Sequence, residues 1–309
     1  MGLTAFPNGV SSFGMPQLGA GDYFTTGSVF FVNSEATNAS DGNAGTSPDR
    51  AFATIDAAVG KCTANKGDTI FVMPGHVETL TASGQLVFDV DGITVIGIGH
   101  GNARPRVLFD AAAADVDVTG DDVTIRNMVF RASFADVLVG IDLDGLRFWL
   151  DQCEFEEEAG DLNFLVVIEA GGAAGTADGL KITNCVGMLP DANAEEFLLI
   201  ADDMTHLTFV GNHLQMGNTD ESVIEFTAGG TVRCLIAHNF ISRPGLADAD
   251  ANAFFLSGET DNSGIVAYNV FEANDATAAI GIDLTGAALL ENYLISENDL
   301  QGIRIPAAT

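Results

Sequence analysis

Four acidic words carry the residues best suited to chemistry. In "GIDLDG" the alternation of an extended strand puts Asp142 and Asp144 on one face, and "ADDM" sets Asp202 beside Asp203. Glu169 in "VVIEAGG" and Glu225 in "VIEFTAGG" form a further candidate pair. Paired carboxylates can divide glycosidic cleavage between them, one as acid and the other as base or nucleophile, with their separation selecting inversion or retention. In a chain with 43 acidic residues such pairs also arise by chance, and their default role is solvated charge. The expectation is therefore that no residue is catalytic, with Asp142, Asp144, Asp202 and Asp203 as the candidates should the chain be an enzyme. Other chemistries find less support. The five histidines, His76, His100, His206, His213 and His238, form no HExxH and no close ligand spacing, so each reads as a surface or strand-end residue. Cys62, Cys153, Cys185 and Cys234 contain no CxxC and read as buried free thiols. No Gly-rich phosphate loop follows a strand and opens a helix.

The elements that would position these residues are short apolar strands. "VTIRNMVF", "LKITNCV", "IVAYNVF" and "LLENYLI" repeat one pattern, in which an Asn interrupts a strand that then resumes. Aligned on that residue, Asn127, Asp151, Asn184, Asn212, Asn239, Asn269 and Asn292 give a loose repeat of about 28 residues, in the period range of solenoids. A second apolar strand lies between successive words, as in "GIDLDG", "FLLIADD" and "VIEFTAGG", and no helical period accompanies it. The fold class this predicts is all-β, a parallel β-helix solenoid. The seven aligned residues would form a structural corner ladder, each side chain bonding its counterparts above and below. The apolar residues two positions on, Val129, Cys153, Val186, Leu214, Ile241, Phe271 and Leu294, would then point inward. Residues 1–27, rich in Gly, Pro and Ser, read as an extended N-terminal arm, with Phe6, Pro7 and Phe13 as its anchors, and 28–309 as the solenoid. One amphipathic helix is expected over 52–62, capping the first coil.

The segment from Val29 to Leu80 resembles the opening of right-handed parallel β-helix proteins of the pectate-lyase-like superfamily. The resemblance rests on Gly45, Thr46, Pro48, Phe52, Thr54 and Ile55, then on Gly67, Asp68, Thr69, Ile70, Val72, Pro74 and Gly75. With the repeats it covers about residues 28 to 300, and it implies the fold, since the superfamily holds lyases, hydrolases, tailspikes and non-enzymatic structural proteins. A shorter likeness, over Gly2, Thr4, Phe6, Pro7, Gly9 and Val10, is to β-helix proteins of tailed-phage virions. Lyases on this fold would need a basic residue beside the uronate carboxylate, and lysines here number three.

A net charge of −31 argues against contact with nucleic acid or anionic membrane. Together these readings favour a non-enzymatic virion structural protein. It would decorate the outer surface of a phage capsid through its arm, with capsid protein and copies of itself as partners, a trimer favoured. No cofactor is expected, though divalent cations such as calcium would suit the gaps between acidic surfaces. The alternative is a carbohydrate-active depolymerase or sugar-binding, tailspike-like β-helix.

Overall fold

The computed structural model describes residues 10–12, 15–17, 25–158, 161–173, 175–190, 196–217, 222–227, 231–243, 255–257, 263–273, 282–283, 293–296 and 298–301. Phe6, Pro7, Phe13 and Asn292 lie outside them. Within the segment read as an arm, Val10–Ser12 and Met15–Gln17 pair antiparallel.

From Val29 onward the chain winds through three parallel sheets, of ten, nine and eight strands. It is a parallel β-helix. The first sheet runs from Val29–Val32 through Thr69–Val72, Thr94–Gly97, Thr124–Arg126, Trp149–Asp151, Lys181–Thr183, Thr208–Val210, Cys234–Ala237 and Gly264–Ala267 to Tyr293–Ser296. The second runs from Val77–Leu80 to Asp299–Gln301, and the third from Val87–Phe88 to Ile282–Asp283. Apolar residues form a strand here because every second side chain faces an interior filled by its counterparts from neighbouring coils. Phe130 lies on Phe155 with ring centroids 5.2 Å apart, and Phe155 meets Phe197 edge-on at 5.3 Å. Gly187 occupies the interior station below Phe155. A Cβ there would come within 3.4 Å of the Phe197 ring and 2.9 Å of Leu214, so Phe197 fills the space that this glycine leaves.

From the strand Thr124–Arg126 onward the corner between the first and second sheets is a two-residue turn, and its register differs from the sequence alignment. Its first position is left-handed and accepts varied residues: Asn127, Gln152, Asn184, Gly211, His238 and Tyr268 all have φ between 54° and 74°. Its second position points inward and holds Met128, Cys153, Cys185, Asn212, Asn239, Asn269 and Asn298. The continuous ladder is formed by the last four of these. Asn239 Oδ1 accepts both the backbone N–H of Asn212 at 2.9 Å and its side-chain amide at 3.1 Å. Asn239 in turn donates to Asn269 Oδ1 at 2.8 Å and to the Phe209 carbonyl at 2.9 Å. Asn269 repeats the pattern on Asn298. Asn127 and Asn184 sit one position earlier, and Asp151 ends a first-sheet strand, where it pairs with Arg126 at 2.8 Å. Val186 is correspondingly exposed rather than inward, because the alignment placed it one residue off.

The expected helix over 52–62 is a single turn, Ile55–Val59, and a cap helix of that length is absent from this segment. Phe52 is drawn into the sheet instead, donating to the Phe31 carbonyl at 2.9 Å and accepting from Asn33 at 2.9 Å. Gly45, at φ +65°, lets the preceding polar loop close against the Phe52 ring, where any Cβ would overlap it. Asp68 is buried, and its two oxygens accept from Ser28 and Thr63 N–H. That carboxylate ties the start of the first strand to the residues after the helical turn.

Asn239→Ala leaves the Asn212 amide and the Phe209 carbonyl without these partners. At about 1–3 kcal/mol for each buried orphan, the loss is expected to be roughly 2–5 kcal/mol. Asn184→Gly, which removes one bond to Asp151 but suits the left-handed backbone, is expected to change stability by under about 1 kcal/mol. Urea unfolding followed by circular dichroism checks this, and equal losses in the two variants would contradict the ladder's register.

Candidate functional site

The outer face of the third sheet gathers carboxylates into a column. Asp117, Asp142 and Glu169 occupy one register on adjacent strands, Val116–Val118, Val137–Leu143 and Phe164–Ala170. Leu199 follows, then Glu225, and the backbone register continues to Leu256 and Asp283. Asp117, Asp142 and Glu169 each lie between two buried apolar residues of their strands, as Asp142 lies between Ile141 and Leu143, so alternation drives the carboxylate outward. Strand spacing sets neighbouring members of the column about 4.8 Å apart at the backbone.

The three stacked acids are half-buried, and their pKa values are all raised from the ordinary values of their side chains. For Asp142 the largest cause is burial, followed by the charges of Asp144 and Asp115. For Glu169 it is burial, then Asp142 and Asp144. For Asp117 it is burial, then Asp115, Asp142 and Asp144. No basic side chain contributes to any of the three shifts. Elsewhere the scarce cations are placed on acids: Arg104 on Glu154 at 2.6 Å, Arg131 on Glu156 at 2.5 Å, and Arg147 on Asp121 and Asp122. Asp122 shows the opposite shift, lowered chiefly by its hydrogen bond from Arg147. At Asp117, Asp142 and Glu169 like charge is thus concentrated, and no cation contributes to their shifts as Arg147 does to that of Asp122.

The candidates read from sequence divide at this point. Asp142 belongs to the column. Asp144 lies just beyond the same strand, and its Oδ1 accepts the Gly172 N–H at 2.9 Å. Asp202 occupies the equivalent corner two coils on, with its backbone against Gly171, and its Oδ1 accepts from Asp203 N–H at 2.7 Å. The structure therefore sets Asp144 and Asp202 along one corner, while Asp203 is exposed. Glu169 and Glu225 share the column with Leu199 between them. The sequence reading missed Asp115 and Asp117. The signal was present in the recurring apolar–acid–apolar words "VDV", "IDL", "IEA" and "IEF", each shortly before a corner. The thiols of Cys62 and Cys153 are pushed up to about 12, mainly by burial, so they carry no nucleophilic chemistry.

A second surface is defined by the scarcity of charge. The segments 182–189, 208–217, 234–243 and 264–271 cover most of the first sheet, the ladder corner and the second sheet over four coils, and Arg243 is the only Asp, Glu, Lys or Arg within them. The strands they belong to also carry Lys181, which is exposed, and Glu272, which is half-buried, at the two ends of this belt. Arg243 is fully buried. Large apolar and aromatic residues are exposed among neutral polar ones such as Asn184: Met188 is 44% exposed, Ile265 41% and Tyr268 51%, with Leu235 and Val186 also exposed. The Tyr268 and His238 rings stack 5.1 Å apart, and His213 meets Phe240 edge-on at 4.7 Å. The corresponding segments nearer the N-terminus, 124–132 and 149–157, carry Arg126, Arg131, Asp151, Glu154, Glu156 and Glu157.

No protein-family model matches this sequence, and no curated protein matches it. Among solved structures, the chain is similar to a rhamnogalacturonan lyase over 88% of its own length and 87% of that chain, at 12% identity and a TM-score of 0.47. It is also similar to a GH136 lacto-N-biosidase from Eubacterium ramulus, over 89% of its length and 68% of that chain, at 11% identity and a TM-score of 0.33.

The raised carboxylates have a stability consequence with a definite sign. An acid whose folded pKa lies above its unfolded value binds more protons when folded, so stability falls as pH rises from the unfolded value, 3.8 for Asp142, through the folded one. Asp142→Asn is therefore expected to raise the melting midpoint at neutral pH, and to lose most of that gain below the unfolded value. Thermal melts of both proteins at the two pH values test this. A destabilised variant at neutral pH would show that the carboxylate is held by a compensating partner.

Proposed function

We propose that this chain is a carbohydrate-active β-helix whose outer third sheet binds and hydrolyses a neutral polysaccharide. The observation that carries the reading is the stack of Asp117, Asp142 and Glu169, half-buried, mutually repelling and without a cation. Such an arrangement costs folding stability, and perturbed acids grouped on one open face are where acid–base chemistry is found. Asp142 and Glu169, on adjacent strands and both raised in pKa, would divide the roles, the protonated group acting as acid and the other as carboxylate. Their backbone spacing of about 4.8 Å is close to the roughly 5–5.5 Å between carboxyl groups that serves retention through a glycosyl–enzyme intermediate. In that mechanism the protonated group donates to the departing glycosidic oxygen, and the carboxylate attacks the anomeric carbon. Water activated by the first residue then releases the sugar. A neutral polymer fits because a chain with net charge −31 repels a polyanionic one.

The test is a panel of neutral polysaccharides assayed for new reducing ends, with the product anomer followed by NMR. Asp142→Asn and Glu169→Gln are each expected to lower turnover by about 10²–10⁴-fold while the far-ultraviolet spectrum is unchanged. Inversion at the anomeric carbon would replace the adjacent pair by Asp117 and Glu169, two coils apart. Binding without cleavage would reduce the site to a sugar-binding surface.

A second reading, a non-enzymatic component of a phage virion, draws support from the charge-poor belt, which suits packing against protein, and from the resemblance at residues 2–10. On this reading residues 1–27 attach the rod to the outer capsid. Cosedimentation of the full chain with stripped particles, lost on removal of residues 1–27, is the expected result, and particle binding that survives the deletion would overturn it.

A further inference from the structure

The charge-poor belt is not used by the carboxylate site. In a coil with three faces, the corner between the first and second sheets points away from the third. We infer that this belt is an interface between two copies of this chain, which associate side by side through Leu235, Ile265, Tyr268, Val186 and Met188. The inference is independent of the carboxylate reading and assigns the belt to a second copy rather than to a capsid protein.

Three observations select a second copy as the occupant. The first is charge. At net −31, two copies approaching through an acidic face would have to bring unpaired carboxylates together out of water, which is strongly unfavourable. The belt is a stretch of four coils over which they can meet with little of that cost, since Arg243 is buried, Lys181 at one end is a cation, and Glu272 at the other end is its one carboxylate. The second is self-complementarity. A sheet face with small and branched residues in regular columns, Thr208, Leu235 and Ile265 beside Val210 and the buried Ala237 and Ala267, with Lys181 and Thr183 ending the two columns, can lie against its own two-fold image. The third is rigidity. Asn212, Asn239, Asn269 and Asn298 brace the corner from within, so little conformational freedom is lost when it is covered. Aromatic residues such as Tyr268, stacked on His238, are the kind enriched at protein interfaces.

Size sets the strength to expect. Four coils about 4.8 Å apart, crossed by two strands of four residues at about 3.3 Å each, give a face of roughly 500 Å². Two copies would bury on the order of 1,000 Å², at the lower end of specific interfaces, so association in the micromolar range is expected. Because the remaining surface is repulsive, added salt should strengthen the contact by screening it.

Sedimentation velocity of the full chain at up to about 0.1 mM tests this, run at about 0.05 M and 0.5 M salt. The expected result is a concentration-dependent multiple of the single-chain mass, tighter at high salt. The variant Leu235→Glu with Ile265→Glu is expected to remain single, with an unchanged far-ultraviolet spectrum. Thr94→Glu with Thr124→Glu, on the same sheet outside the belt, is expected to associate as the parent does. A parent chain that stays single at both salt concentrations overturns the inference. So does a Leu235/Ile265 variant that associates as the parent does, or a Thr94/Thr124 variant that no longer does.

Discussion

Stacking coils in parallel and in register forces each side chain to meet its counterparts at one fixed spacing, about 4.8 Å. Every column of the rod is therefore a test of whether a residue tolerates a neighbour like itself. Phenylalanine does, as the Phe130–Phe155 stack shows. Asparagine does better, because it carries a donor and an acceptor. Asn212, Asn239, Asn269 and Asn298 pass hydrogen bonds from coil to coil and leave their carboxamides satisfied in a buried setting. Carboxylates do worst, since the same spacing sets like charges beside one another in partial burial. The ladder and the acidic column thus follow from one rule with opposite signs, and the unfavourable sign is what makes Asp117, Asp142 and Glu169 informative about function.

The start of the solenoid meets this rule differently, because its first coil has no preceding counterpart to stack on. Buried polar residues take over there. His76 is fully buried, and its Nδ1 accepts the Ser34 N–H at 2.9 Å while its Nε2 faces Glu78 at 3.3 Å. Glu78 also accepts the Ile55 N–H at 2.8 Å, at the beginning of the helical turn. With Asp68 on Ser28 and Thr63, these carboxylates hold backbone donors that the regular ladder does not reach. The residues behind the sequence resemblance, Gly45, Phe52, Asp68 and Gly75 among them, are accordingly those that fit irregular backbone to the first regular strands.

The architecture was legible in the sequence because its signal is repetitive: apolar words at a period of about 28 residues with no helical period allow few other folds. The register of the corner was not legible, and the reason is physical. The left-handed position accepts Asn, Gln, Gly, His or Tyr, so its identity drifts from coil to coil. An Asn at that position is indistinguishable, in a string of letters, from an Asn at the inward position beside it. Asn184 followed by Cys185 and Gly211 followed by Asn212 are the same turn, although aligning their asparagines shifts one coil by a residue. A one-residue shift reverses which side chains face inward, and that is how an exposed Val186 came to be read as core. The length of the helix failed for a related reason: amphipathic spacing over 52–62 is real, but Phe52 finds a better set of partners in the sheet than in a helix.

The distribution of charge over the rod is the remaining feature that a periodic sequence does not dictate. Solubility alone would be served by acids spread over every outward station, and the chain has enough of them. Instead Asp117, Asp142 and Glu169 on the third sheet have pKa values raised by burial and by neighbouring carboxylates, while four coils of the first and second sheets carry, besides the buried Arg243, only Lys181 and Glu272 at the ends of the belt. Random placement of acids along an acidic chain does not favour both extremes in one molecule. The two surfaces are also compatible in a way that a mixed surface would not be. Covering the belt leaves the acidic sheet open to solvent, and the solenoid core between them holds the faces apart by the width of the coil. A rod of this kind can pack on one side and remain reactive on another without a conformational change, because its faces are fixed by the same stacked strands.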